Sequence, residues 1–549
     1  MKVGMDHQTK ATPLDEEVKK YLIRDEHQGP SNEKRPYKIV YDDIVGRHMV
    51  AARDIKPGEI IFKESPITFG PTDATKPICL GCYKRIKSHG LTCDRCHFPM
   101  CSRQCQDIPE HAEYECQVFQ ERGFRVRSQE IKFDDETPIY GIVSVIRGLL
   151  LRKKHPEKWD LLWSHMSHHE KRKRSHYWRQ KTNVIIDHVK AAMILEEKDV
   201  ETLEIILGIF LVNTFEVSIE DRSVEVETAP EASIQALFGL ASMPSHSCVA
   251  NCTHDFSSRK SGYVMTMRSL THINKGEDIT HSYTEPFDPL LQRQALLQVG
   301  KFFSCQCPRC SDPTELGTYA SALKCRKCGK GNVISSDVHE IEAKWVCENQ
   351  DCPQEMGTIQ IRNIYQAAKG QAESLDPSES NPSGATIPKF EAFIKKYANI
   401  LHPNHVILTD RKYVLAKMYG RMTGYEAHQL TDEQFKRKRD LCREVLQVLD
   451  QIMPGRTRKR GLVEGMMMYE LHLPLVMLAN RALERGPNPG TDPKEIKKNL
   501  KDGLSYLRKG LEILSDEPAG TFEQKIVEGS KESLVQLEQW VTTVCTNLK

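Results

Sequence analysis

Two short stretches, MPSHSCVAN (Met243–Asn251) and KGEDITHSY (Lys275–Tyr283), decide how this chain is read. The first holds a His-Ser-Cys triplet, with Asn251 three residues beyond Cys248. The second is a Gly-Glu-Asp turn that leads into a strand-like run ending at Tyr283. Downstream, Cys305, Cys307 and Cys310 form a Cys-x-Cys-x2-Cys fragment. Three thiolates are one short of the tetrahedral four that structural zinc takes. Cys248 or Cys252 can supply the fourth, provided the fold carries the chain back to Met243–Asn251.

Working outward, the chain has 549 residues, more than one core serves, since single cores stop growing at about 250–300 residues. Hydrophobic residues make up 39% and charged residues 28%, as in ordinary globular proteins. A net charge of +2 gives no whole-molecule attraction to nucleic acid or to an anionic membrane. The apolar run Ile205–Val212 falls well short of the roughly 18 residues of a membrane span, and residues 1–20 lack the apolar core of a signal peptide. An intracellular protein is expected, and there Cys-x-x-Cys spacings indicate metal rather than disulfides. Of the 18 cysteines only Cys252, Cys442 and Cys545 lie outside three clusters.

The upstream cluster reads Cys79-x2-Cys82, Cys93-x2-Cys96, Cys101-x3-Cys105, His111 and Cys116. Seven thiolates and one imidazole complete two tetrahedral sets, closed to water and therefore structural rather than catalytic. A further pair, Cys325-x2-Cys328 and Cys347-x4-Cys352, has the knuckle–hairpin–knuckle layout of a zinc ribbon. With Cys305, Cys307, Cys310 and a fourth ligand from Cys248 or Cys252, the expectation is about four zinc ions.

The remaining segments alternate in type. Residues 1–36 are polar and charged, an extension expected to be disordered or loosely attached. Tyr37–Phe69 reads as strands and turns, with Lys56–Glu59 a turn between two β-rich runs. Residues 117–205 switch to helical periodicity, as in Ile139–Leu151 and Val184–Leu195. From about Ile361 the chain is helical to its end, with apolar stripes such as Leu504, Leu507, Leu511 and Leu514. The basic run Lys171–Arg174 is either a solvated helix end or a nuclear or nucleic-acid signal.

The paired motifs, with Cys-x-Cys-x2-Cys behind them and a Cys/His block upstream, resemble the SET and MYND (SMYD) family of protein-lysine methyltransferases, in its divergent SmydA-like branch. The resemblance implies an α+β chain. A SET β-fold begins at 37–78 and is interrupted by a MYND zinc finger at 79–116 and a helical insertion at 117–205. The core SET segment follows at 206–285, a post-SET zinc segment at 286–312 and the ribbon-like segment at 313–360, which is unusual in the family. An all-α, tetratricopeptide-like domain spans 361–549. The implied ligand sets are Cys79/Cys82/Cys101/Cys105, Cys93/Cys96/His111/Cys116 and Cys248/Cys305/Cys307/Cys310.

The same resemblance implies S-adenosylmethionine (SAM) as cofactor, contacted by Gly46, Arg47, Asn213, Ser245, His246, Tyr283 and Phe303. Tyr283 would be the catalytic hydroxyl, and Asn251 would close the crossing of the two motifs. Methyl transfer is an in-line displacement that needs alignment and a neutral amine more than acid–base machinery. Partners would be a protein substrate, a histone tail or another lysine-bearing protein, and proline-containing peptides on the MYND finger. The expected compartments are cytoplasm and nucleus. Direct nucleic-acid or membrane binding is not expected. Two departures favour an alternative, an inactive SET-fold adaptor. Ser245 stands where the family writes Asn, and Lys301 stands where a second channel Tyr is usual; Lys301 would repel a substrate ammonium or point to solvent.

Overall fold

The computed structural model describes residues 35–548, apart from 44, 74, 175, 194–198, 219–232, 258, 260–261, 376–383, 454–457, 487–491 and 516–521. The expectation of a loose N-terminal extension falls almost wholly outside the described residues.

The N-terminal half is built from short sheets, antiparallel except for one parallel pair. A hairpin joins β1 (Tyr37–Asp42) to β2 (Gly46–Ala51), with Asp42 Oδ1 accepting from the Val45 amide at 2.9 Å and Gly46 at φ +81° closing the turn. β3 (Ile60–Glu64) lies beside β9 (Met265–Ser269), which in turn pairs with β8 (Cys252–Phe256). β4 (Thr68–Pro71) and β5 (Thr214–Ser218) flank β6 (Ser233–Leu237). Last come β7 (Ser245–His246) and β10 (Thr280–His281), paired in parallel.

The Cys/His block ends in two short helices, α1 (Pro109–Ala112) and α2 (Glu115–Arg122). The predicted helical insertion is present as α3 (Gly141–Lys154), α4 (Pro156–Trp163), α5 (His169–Lys173), α6 (His176–Met193) and α7 (Val200–Asn213). Helix α7 buries Leu203 and every residue from Ile205 to Phe210, because it runs through the centre of this half. Gly208 lets it do so: a Cβ there would lie 2.6 Å from the Ser167 carbonyl.

After the strands come α8 (Leu290–Lys301) and α9 (Pro308–Ser311), then a four-stranded ribbon, β11 (Leu323–Lys324), β12 (Asn332–Ser335), β13 (Trp345–Cys347) and β14 (Glu355–Met356). The C-terminal region is all helical: α10 (Thr358–Glu373), α11 (Thr386–Tyr397), α12 (Val406–Met418), α13 (Asp432–Ile452), α14 (Arg458–Glu484), α15 (Pro493–Leu514) and α16 (Phe522–Asn547). The ribbon shares its core: Val333, Trp345 and Cys347 are buried with Ile361, Tyr365 and Leu401. Of the helices, Arg460–Glu484 is long and apolar enough to cross a membrane by length and composition, which the scan for short apolar runs did not register. Met466, Met467, Leu471 and Leu475 on it are buried in that same helical core.

A threaded crossing beside a metal set

The two motifs meet in a threaded crossing. Gly276 and Ile279 donate backbone hydrogen bonds to Ala51 and Met49, and the Ala51 amide donates to Glu277, so Gly276–Ile279 runs along β2. The chain then passes beside the first motif, with Thr280 opposite Ser245 and His281 opposite His246. Asn251 locks the passage: its Oδ1 accepts from the Thr280 amide (2.8 Å) and its Nδ2 donates to the Asp278 carbonyl (2.7 Å). Upstream, the Glu64 carboxylate accepts from the amides of Gly239, Leu240 and Ala241 at 2.8–3.0 Å, fixing the approach to Met243. Nothing in the sequence marked Glu64 for that task.

Among the described residues five groups of side chains could hold metal: four are the expected Cys and Cys/His sets, and the fifth is His169 with the exposed carboxylates Glu170 and Glu201. Zinc–sulfur bonds of about 2.3 Å put tetrahedral thiolates about 3.8 Å apart. The observed separations are 3.2 Å for Cys82–Cys101, 3.6 Å for Cys93–Cys116, 3.5 Å for Cys248–Cys310 and 3.8 Å for Cys328–Cys347. His111 takes its place despite its unusual spacing, with Nε2 3.7 Å from Cys96 Sγ. Its Nδ1 donates to Glu115 Oε1 at 2.8 Å, and Arg147 grips that carboxylate through Nε and Nη2 at 2.7 and 2.8 Å. This buried chain fixes the imidazole tautomer and aims Nε2 at the metal position. Around Cys248, Cys305, Cys307 and Cys310, buried Arg293 lies 3.5 Å from Cys310 Sγ, and Glu315 pairs with both Arg293 and Arg309. Four thiolates around a dication leave net negative charge, which explains a wholly buried guanidinium there.

This third metal set touches the predicted catalytic residue. The Tyr283 amide donates to His246 Nδ1 at 2.9 Å, so that nitrogen carries no proton, and His246 Nε2 lies 3.4 Å from Cys248 Sγ. Cys248, His246 and Tyr283 thus form one chain of contacts. The Tyr283 hydroxyl donates to the Pro244 carbonyl at 2.7 Å, and burial pushes its pKa up, so it stays a neutral phenol. Phe303, 37% exposed, lies 6.0 Å from His246 and 6.5 Å from Tyr283 between ring centres. Ser245 sits on the same crossing, half-buried.

The other expected cofactor residues gather on a neighbouring loop. Arg47 donates to the Ser164 carbonyl, and burial lowers its pKa to about 10. Asn213, at the end of α7, spends both amide hydrogens on Met166 (2.9 Å) and Ile209 (2.8 Å), leaving Oδ1 as an acceptor. Lys301 bridges the two groups: Nζ donates to the Val212 carbonyl and lies over the Tyr283 ring. Of the two expectations for Lys301, the solvent-facing one is therefore wrong; the ammonium caps the C-terminus of α7, where exposed carbonyls favour a cation. Within the basic run, Arg172 is 6% exposed, stacked on Trp178 and Phe302, and donates to the Gly300 carbonyl.

Sequence reasoning passed over the wall beside Tyr283. His281 lies 4.7 Å from Tyr283, 5.3 Å from Phe215 and 5.7 Å from His254, measured between ring centres. The one available signal was spacing, since His281 and Tyr283 share a face of an extended run.

Residues 46–284 match the SET domain family. Over 455 residues the chain is 27% identical to the SET domain-containing protein SmydA-8, isoform A, of Drosophila melanogaster, covering 80% of this chain and 90% of that protein. A SET and MYND domain-containing protein of Dictyostelium discoideum is 26% identical over 48% of this chain and 79% of its own length. The histone-lysine N-methyltransferase ASHR1 of Arabidopsis thaliana is 26% identical over 65% of this chain and 70% of its own. The crossing, the metal sets and these relatives agree: residues 46–284 match the SET domain family, and the chain is similar along most of its length to a SET domain-containing protein.

Proposed function

We propose that the protein is a SAM-dependent protein-lysine N-methyltransferase. The observation that carries this reading is the crossing itself, which gathers Tyr283, His246 and Phe303 at one place. SAM would lie against Phe303, the His246 backbone and the free Asn213 Oδ1, with Gly46, Arg47 and Ser245 completing its surroundings. When bound, it supplies a methyl group on a positively charged sulfur. The chain's own residues then orient the acceptor: Tyr283, a neutral phenol, offers oxygen lone pairs to the target nitrogen and fixes its line of approach. Burial disfavours the ammonium form of that nitrogen, so the reactive free amine becomes accessible.

Zinc would occupy the four ligand sets, and the third would hold Tyr283 in register through His246. Histone tails and other lysine-bearing proteins are the substrate class. Proline-containing peptides are the proposed ligands of the finger at 79–116, and the helical region, as tetratricopeptide-like pairs, would add partner surface. Cytoplasm and nucleus are the proposed compartments. One observation favours a second reading, an adaptor without catalysis: an ammonium group, Lys301, sits beside Tyr283. Titration of SAM into the purified protein, followed by transfer of labelled methyl to a mixed protein extract, separates the two. Tight SAM binding with transfer supports the enzyme; neither binding nor transfer leaves the adaptor.

A further inference from the structure

The net charge of +2 conceals a segregation of charge on the ribbon. Residues 316–336 hold Lys324, Arg326, Lys327 and Lys330 and no Asp or Glu. All four are exposed, while Cys325 among them is buried. The turn that carries them is tied from inside. The Gly329 amide donates to the Cys325 carbonyl at 3.0 Å, the Cys325 amide to the Gly331 carbonyl at 3.0 Å, and the Gly331 amide to Cys328 Sγ at 3.4 Å. A second stretch without carboxylates, residues 392–409, runs beside the first: the Lys324 amide donates to the Ile400 carbonyl and the His402 amide to the Ala322 carbonyl, both at 2.9 Å. It carries exposed Lys395 in the last turn of α11. Among the described residues none of these five cations pairs with a carboxylate. Elsewhere on the ribbon Lys344 pairs with Glu355, and Arg362 pairs with Glu342 at 2.9 Å. Glu348 borders the surface with both oxygens engaged, by Asn332 Nδ2 at 2.7 Å and the Tyr319 hydroxyl at 2.9 Å.

We propose that this surface, the first knuckle of the ribbon with the adjoining end of α11, binds nucleic acid through its phosphodiester backbone. Five cations without counter-charges repel one another, and a polyanion relieves that repulsion. Two physical points select nucleic acid over an acidic protein segment. Protein interfaces are anchored by buried aromatic or aliphatic side chains, and none of the exposed large apolar side chains falls between Phe303 and Ile359. Backbone binding needs no such anchor, because it is driven by phosphate neutralisation and release of counterions. Such contacts position the nucleic acid without reading its bases. Charges act over about 10 Å at 0.1 M ionic strength, so the surface attracts phosphate locally although the whole molecule is nearly neutral. The assignment does not depend on the methyltransferase reading.

The test titrates the full-length, metal-loaded protein into three labelled probes, read by fluorescence anisotropy between about 50 and 200 mM salt. The probes are a DNA duplex of about 20 base pairs, a single-stranded RNA of similar length and a polyglutamate peptide. The expected result is binding to nucleic acid, with log affinity for the duplex falling against log salt at a slope of about −4 to −5, the value for five phosphate contacts. The triple variant Arg326→Gln, Lys327→Gln, Lys330→Gln should make that slope shallower by about 3, and Lys324→Gln with Lys395→Gln by about 2. Lys344→Gln, on the ribbon but paired with Glu355, should leave it unchanged. Native mass spectrometry checks that each variant keeps its metal; where the triple variant loses one, the double variant decides. No binding to DNA or RNA at about 50 mM salt overturns the proposal. So does a wild-type slope in the metal-loaded variants. Capture of polyglutamate without nucleic acid also overturns it and assigns the surface to acidic protein segments.

Discussion

The ammonium of Lys301 lies 5.5 Å from the centre of the Tyr283 ring and is held there by the carbonyl at the C-terminal end of α7. Burial, and then Arg172, lowers its pKa to about 8. A lowered lysine pKa means that the folded state favours the neutral form. Its effect on stability is unfavourable below pH 8 and is relieved as pH rises from about 8 towards the unfolded value of about 10.4. Arg172, His168, His281 and Tyr283 are the other titratable groups around it, and none of the others is expected to change charge between pH 7 and 9. Methyl transfer should therefore rise through an apparent pKa near 8, as repulsion of the target ammonium fades. In Lys301→Met that inflection should vanish, at about 1 kcal/mol of stability for the uncapped helix end. Lys301→Tyr should raise transfer at pH 7. An unaltered pH–rate profile in Lys301→Met would show that this charge does not govern the acceptor.

Tyr283→Phe removes one positioned hydroxyl and leaves the ring, its contact with His246 and the crossing in place. Transfer should fall by about tenfold or more, in the range for a single positioned group. SAM affinity should stay within about twofold. Loss of SAM binding together with activity would mean that the hydroxyl serves the fold through Pro244 rather than the reaction.

Four metal ions per chain are expected by native mass spectrometry, because four closed ligand sets stand at tetrahedral separations. Glu115→Ala tests the outer contacts. It strands Arg147 as a buried, unpaired cation and frees His111, so it should cost about 3–5 kcal/mol and weaken one metal roughly 10–100-fold. Retention of all four metals against a chelator at the wild-type rate would refute this role for Glu115.

Helices α14 and α15 approach through glycine. A Cβ on Gly510 would lie 2.9 Å from both the Gly465 carbonyl and the Tyr469 amide, and backbone atoms cannot swing aside. Gly510→Ala should destabilise the helical region by about 1–3 kcal/mol despite alanine's better helix propensity. Gly529→Ala, on α16 with open space at its Cβ, is the control and should be neutral or slightly stabilising. Equal melting temperatures for the two variants would contradict the close approach.

The sequence alone determined what depends on local spacing and residue chemistry. Cys-x2-Cys pairs fix two ligands on one turn wherever they lie, so the candidate ligands, His111 included, were legible before any fold was known, while their grouping into sets rested on the family resemblance. The helical insertion and helical C-terminal region followed from periodicity, and the crossing from the family resemblance that the two motifs carry. Tertiary structure alone decided which side chains from distant segments share a charge or a pocket. Lys301 acquires its meaning from the end of α7 and from Tyr283, both remote in sequence. Arg147 finds Glu115, and Arg293 finds Glu315, only after helices pack. His281 could be placed on the face of Tyr283 by counting residues, but its contacts with Phe215 and His254 exist only in the packed wall. Burial sets whether each of these groups is charged, and burial is a sum over the whole fold rather than a feature of any stretch of it.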